Sequence, residues 1–130
     1  MSKVEMLTPQ MSTKEVLERH LKYFGDGDLA GLLADYVPET VVFRPVGFGG
    51  AGGAAKGLAA LRSVFSIVLA EFARPGTRFE MRQQAVEGDY AYIVWEAETA
   101  QNVYELGSDT FIVKGGKIVA QSIAAKIVPK

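Results

Sequence analysis

The apolar residues of this chain change period at Pro75-Gly76. Before that point they recur at helical spacing, and from Arg78 onward they alternate with a period of two. Ser12-Thr13-Lys14-Glu15 reads as a capping box, opening a helix that carries Val16, Leu17, Leu21 and Phe24 on one face and stops at Gly25. Asp28 caps a second, shorter helix with Leu29, Leu32, Leu33 and Tyr36 inward, stopped by Pro38. Thr40 to Arg44 is a β-branched strand, and Leu58 to Phe72 is a third amphipathic helix. The segments 78–86, 90–99, 103–114 and 117–128 then read as four antiparallel strands, with hairpin signals at Glu87-Gly88-Asp89 and Gly115-Gly116. Helices first and strands last predict an α+β fold with three helices packed on a curved antiparallel sheet.

With 130 residues, one domain is the expectation, with residues 1–11 as a loosely ordered tail. About two-thirds of its surface is expected to be buried on folding, enough for a core without staples. Staples are in any case excluded. There is no cysteine, which removes disulfides, thiolate metal sites and thiol nucleophiles, and His20 is the only histidine, which removes multi-histidine metal sites. No metal or cofactor is expected. Basic and acidic residues number 14 and 15 and are well mixed, so no basic stripe invites nucleic acid. No window approaches the ~20 apolar residues of a membrane span, and the expected location is the cytoplasm. Hydrophobic residues make up 48% of the chain and charged ones 22%, so apolar surface must be buried efficiently or offered to a ligand or a second subunit.

Three stretches then carry a resemblance. Gly27-Asp28-Leu29 opens the second helix after Tyr23-Phe24; Arg44-Pro45-Val46-Gly47 sits where ketosteroid isomerases have Asp-Pro-Val-Gly; and Ser108-Asp109-Thr110-Phe111 precedes Gly115-Gly116-Lys117-Ile118-Val119. From Ser12 onward the chain resembles the nuclear transport factor 2-like superfamily, nearest its SnoaL-like polyketide cyclase and ketosteroid isomerase branch. The resemblance implies a cone in which helices and concave sheet enclose one apolar pocket. The isomerase is a worked example of carboxyl pKa tuning, with an Asp base and an oxyanion hole of one Tyr and one neutral Asp. Aligned here, the base position holds Arg44, the first-helix tyrosine position holds His20, and only the late-strand carboxylate survives, as Asp109. Steroid isomerisation by that mechanism is therefore not expected. A lone late-sheet Asp acting as general base, as in polyketide cyclases of similar fold, fits Asp109 better.

Asp109, His20 and Arg44 are the catalytic candidates. Helical spacing puts His20 on the buried stripe, either as a core histidine bonded to a backbone carbonyl or as a donor in the pocket. Asp109 shares strand phase with Phe111 and Val113; it is either a proton-moving carboxylate or a strand-bend residue bonding local amides near Gly107. Arg44 would clamp a ligand oxyanion, or pair with Asp109, or form a structural salt bridge. The strand 90–99 is apolar on both faces. By the resemblance, Tyr92, Val94 and Glu96 face the pocket, together with Tyr36, Phe65, Phe111, Gln121 and Ile123. Ile93 and Trp95 then cover the outer face and form a homodimer interface.

Gly47-Phe48-Gly49-Gly50-Ala51-Gly52 matches a dinucleotide fingerprint formally, but Pro45 intervenes and the sheet is not parallel. The glycine-rich segment Gly47–Gly57 reads instead as a mobile flap at the pocket mouth. Three functions remain open: a cofactor-independent isomerase or cyclase-type enzyme on a small hydrophobic carbonyl compound, a non-catalytic binder of a hydrophobic molecule, or a dimerisation module.

Overall fold

The computed structural model describes residues 11–130, so the expected loose tail lies, except for Met11, outside the described residues. The capping box is formed: the Ser12 hydroxyl accepts from the Glu15 amide at 3.1 Å, and the Glu15 carboxylate accepts from the Ser12 amide at 2.9 Å. Helix α1, Thr13–Asp26, runs through Gly25 because Gly27 is the residue that closes it, at a left-handed φ of 68°. Helix α2, Leu29–Ala34, starts on the Asp28 carboxylate, which accepts from the Gly31 amide at 2.9 Å.

Helix α2 is shorter than its apolar pattern suggested, and Tyr36 belongs to the next element. Asp35 caps the helix, and Tyr36 opens strand β1, Tyr36–Arg44, with Pro38 inside it. The proline is tolerated because strand β2, Gly53–Lys56, pairs with β1 only from Val41 onward, and the register against the other neighbour slips between Tyr36 and Val41. Strand β2 itself was not anticipated and lies within the glycine-rich segment. Nor does the rest of that segment stand away from the body. Phe48 is buried against Trp95 and Tyr104, and a Cβ at Gly49 would meet Val64 at 2.6 Å. The loop is an edge strand plus a wall residue rather than a free flap.

Helix α3, Leu58–Phe72, matches its pattern, and strands β3 (Arg78–Glu87), β4 (Tyr90–Glu98), β5 (Asn102–Lys114) and β6 (Lys117–Pro129) follow. The sheet order is β2-β1-β6-β5-β4-β3, antiparallel except where β1 lies parallel to β6. Among the described residues this is the α+β arrangement expected, a curved and unclosed sheet holding three helices. The core joins Val16, Leu17, Leu32, Leu61 and Phe65 of the helices to Ile93, Trp95, Phe111 and Ile118 of the sheet. Glu71 ties α3 to the β4–β5 turn: its Oε2 accepts from the Thr99 hydroxyl and the Tyr104 hydroxyl, each at 2.7 Å, and from Asn102 Nδ2 at 3.0 Å. Among the described residues no helix is long and apolar enough to cross a membrane.

The phase of β4 is the reverse of the expectation. Ile93 and Trp95 point inward and are each 3% exposed, whereas Tyr92 is 40% exposed. The cause is a bulge. Near the β4–β5 turn Glu98 sits opposite Val103 and Ala97 opposite Tyr104, and continuing that register would set Tyr92 across from Asp109. Between Trp95 and Ala97, β5 inserts an extra residue at Glu105-Leu106, so Gly107 falls opposite Trp95 and Asp109 opposite Ile93. A one-residue slip moves a whole strand to the other face.

Candidate functional site

The inward residues of β4, β5 and β6 meet α1 and α3 around a cavity of about 40 Å³. Its wall is aromatic and aliphatic, including Phe24, Phe48, Phe65, Phe72, Trp95 and Phe111, while the polar groups are His20, Asp109 and Gln121. Such a volume holds about two or three waters. Beyond it lies a larger hollow of about 260 Å³ between the C-terminal ends of α1 and α3. Phe24, Phe72 and Phe79 line both spaces, so these three rings form the partition between them. Phe24 packs edge-on to Phe72 at 5.3 Å between centroids, and Phe79 stacks on Trp95 at 5.4 Å.

Asp109 is 8% exposed, and both of its oxygens are engaged. Trp95 Nε1 donates to Oδ1 at 2.9 Å, and Gln121 Nε2 donates to Oδ2 at 2.9 Å. Burial pushes the carboxyl up from 3.8 to about 6, while the Trp95 and Gln121 hydrogen bonds pull part of the way back. No lysine or arginine lines the cavity to offset the burial. The indole reaches Asp109 because Gly107 sits beneath it; a Cβ there would meet the ring at 2.3 Å.

From Gln121 the polar contacts continue inward. The Tyr36 hydroxyl donates to Gln121 Oε1 at 2.5 Å and lies 3.1 Å from His20 Nε2. His20 Nδ1 lies 3.0 Å from Asp35 Oδ2, and the Arg19 guanidinium holds Asp35 Oδ1 at 2.7 Å. Burial is the main cause that raises the Tyr36 phenol well above its ordinary value, with the nearby Asp109 and Asp35 charges adding to it. One line therefore runs from Arg19 at the surface through Asp35, His20, Tyr36 and Gln121 to Asp109 and Trp95.

The structure brings together Asp109 and His20 of the expected catalytic set, and Phe65, Phe111, Gln121 and Ile123 of the expected lining. Tyr36 sits behind the wall as a bonding partner of His20 and Gln121. Arg44 does not join them. It ends β1, and its Nη1 donates to the Gly53 carbonyl of the edge strand at 3.3 Å. It makes no pair with Asp109, whose oxygens are already satisfied. Tyr92, Val94 and Glu96 lie on the opposite sheet face because of the β5 bulge, with Glu96 paired to Arg82. For the same reason Ile93 and Trp95 are internal and form no outer interface. Trp95, Gly107 and Asp35 are the site residues that sequence reasoning missed. The pairing of Gly107 with Trp95 is a signal that appears only once the bulge is known.

A curved, mostly antiparallel sheet around the three described helices, with a buried carboxyl at the inner end of an aromatic cavity, defines a nuclear transport factor 2-like protein. The family model for the SnoaL-like domain matches residues 17–121, and the chain belongs to that family. An NTF2-like protein of unknown function from Mesorhizobium loti is 26% identical over 88% of this chain and 90% of that one, with a TM-score of 0.69. IdmH of Streptomyces antibioticus, a proposed polyketide cyclase, is 17% identical over 89% and 93% of the two chains, with a TM-score of 0.71. TerC, crystallised with polyporic acid, is 20% identical over 88% and 91%, with a TM-score of 0.69. At those identities the last two establish the fold alone. The sequence matches none of the curated proteins.

Proposed function

We propose that this protein is a cofactor-independent isomerase or cyclase-type enzyme acting on a small hydrophobic carbonyl compound, with Asp109 as the group that takes the substrate's proton. The observation that carries this reading is a buried carboxyl facing a mostly aromatic and aliphatic cavity, its burial pushing it up to about 6. A base tuned close to the working pH moves protons most effectively. IdmH, a proposed polyketide cyclase, and TerC, co-crystallised with polyporic acid, share the fold and lend the substrate class. The step moves only a proton: Asp109 takes it from the carbon beside the carbonyl, the electron pair moves onto the carbonyl oxygen, and the proton returns at the product position. His20 supplies the polar wall toward the developing oxyanion; Arg44 has no part in it. The substrate enters by parting Phe24, Phe72 and Phe79, which joins the two hollows into a space near the ~300 Å³ lower end of ordinary ligand sites.

The test is exchange of α-protons of small cyclic and aromatic ketones in heavy water, followed by proton NMR. Asp109→Asn should lower the exchange rate by ~10²-fold or more while ligand affinity changes little. Tight binding by the wild type with no exchange above buffer would overturn this reading in favour of a non-catalytic binder of a hydrophobic molecule. A homodimer through the outer sheet face belongs to the same proposal, with Tyr92 and Val94 in place of the internal Ile93 and Trp95. Sedimentation of the wild type and Tyr92→Glu tests it: a wild-type monomer refutes the dimer.

A further inference from the structure

The line of hydrogen bonds behind Asp109 contains a choice that donor counting makes visible. Asp35 is held by the Arg19 guanidinium and accepts, so His20 Nδ1 donates to it. As Gln121 is placed, its NH₂ donates to Asp109 and its oxygen accepts from the Tyr36 hydroxyl. That hydroxyl has one proton and has used it. His20 Nε2 must then donate to the Tyr36 oxygen, and a ring donating at both nitrogens is an imidazolium. In this first arrangement Asp109 is a carboxylate and His20 carries the proton.

A second arrangement satisfies the same partners. If the Gln121 amide turns over, its NH₂ donates to the Tyr36 oxygen and its carbonyl faces Asp109, which must now be the protonated acid and donate. The Tyr36 hydroxyl is freed to donate to His20 Nε2, and His20 is neutral with its proton on Nδ1. Trp95 donates to Asp109 in both. The two arrangements hold the same number of protons, so nothing enters or leaves the protein between them. With both groups deprotonated the line cannot close. Either the Tyr36 oxygen meets the Gln121 oxygen or an unprotonated His20 Nε2 without a proton between them, or the Gln121 oxygen meets the carboxylate.

We propose that Gln121 is a positioning residue that couples the charge of Asp109 to that of His20, so that the carboxylate is present in the cavity when the imidazolium is. The consequence for the proposed reaction, on which this inference builds, is that the base is accompanied by a positive charge in the cavity wall. When Asp109 takes the substrate's proton, that charge faces the developing oxyanion. The charged and titratable groups that face His20 are Asp35 with its Arg19 partner, Tyr36, and Asp109 beyond Gln121. Phe111 of β5 packs on the ring at 5.9 Å and adds no charge.

The chain has one histidine, so a single pair of imidazole ¹⁵N resonances reports the ring's state without substrate or turnover. At neutral pH the wild type should show both ring nitrogens protonated. Asp109→Asn mimics the neutral acid and turns Gln121 over, so its His20 should become neutral with Nε2 unprotonated. In a Gln121→Met background the Asp109→Asn change should no longer alter the ring. Tyr36→Phe cuts the line at another point, tests the same loss of coupling, and serves where Gln121→Met does not fold. The same ring state in wild type and Asp109→Asn overturns the proposal, as does a response that persists in Gln121→Met or Tyr36→Phe. Failure of the proposed enzyme reading appears separately, as absent proton exchange with the coupling intact.

Discussion

Replacing Asp109 by Asn should make the protein more stable at alkaline pH and flatten its pH dependence. Burial holds the Asp109 carboxyl at about 6 against an ordinary value of 3.8 in the unfolded chain. Between those values the native state keeps a proton that the unfolded chain has lost, so unfolding free energy falls as pH rises through this window. The contribution is fully present below 3.8 and gone above about 6. A displacement of roughly two pKa units corresponds to a cost on the order of 3 kcal/mol for holding the carboxylate at pH 8. Asparagine carries no charge at any pH. Its oxygen accepts from Trp95, and its NH₂ finds the carbonyl of a turned-over Gln121, so no buried donor or acceptor is stranded. The variant should therefore match the wild type near pH 4 and exceed it by up to ~3 kcal/mol at pH 8, roughly 10 °C in Tm for a chain of this size. Urea unfolding of both proteins at several pH values between 4 and 8 measures it. A variant less stable than wild type at pH 8, or pH profiles that run parallel, would refute the reasoning, because either means that no charge is being held against burial.

Other substitutions probe the surrounding structure. Gly107→Ala puts a methyl 2.3 Å from the Trp95 ring, so the indole should leave Asp109, with a loss of about 1–3 kcal/mol and a shifted emission from the chain's only tryptophan. Glu71→Gln weakens the acceptor that Thr99, Asn102 and Tyr104 share, and should lower stability by about 1–3 kcal/mol in urea melts. Arg44→Ala removes only a bond to the Gly53 carbonyl, and should leave ligand affinity and proton exchange within about twofold of wild type, well under the 1.4 kcal/mol of a tenfold effect.

The helices and long strands were legible because each writes its own period. Ser12, Asp28 and Leu58 mark starts that the structure keeps. Besides the edge strand Gly53–Lys56, two features were not legible, and both break a period. Pro38 looks like a helix stop, but the residue that ends α2 is Asp35, and Tyr36 had to be released from the helix pattern to reach His20 and Gln121. The bulge at Glu105-Leu106 is silent in composition, yet it decides which face of β4 meets Asp109. Asp109, Phe111 and Gln121 lie on the β5–β6 side, where the expected phase held, and they were found. Trp95 lies across the bulge and was assigned to the wrong face. Arg44 illustrates a different limit: aligning a position predicts where the backbone is, and says nothing about which carbonyl a long side chain will find.

The distribution of charge across the site argues for a use beyond folding. Asp35 is 1% exposed and Asp109 8%, in a core whose other members are mostly aliphatic and aromatic. Well-packed apolar side chains in such places are often more stable than buried ionic groups, so a buried polar line is weak evidence of a stabilising role. Asp35 meets that cost locally, because Arg19 and His20 both hold it. Asp109 does not: its two direct donors are neutral, no lysine or arginine lines its cavity, and its carboxyl remains above its ordinary value. The imbalance falls at the carboxyl that lines the aromatic cavity, with two or three waters' worth of volume before it and three phenyl rings beyond. A carboxyl kept uncomfortable at the end of a closable apolar passage gains its missing partner when a proton is delivered to it, and a carbon acid admitted past those rings is a molecule that can deliver one.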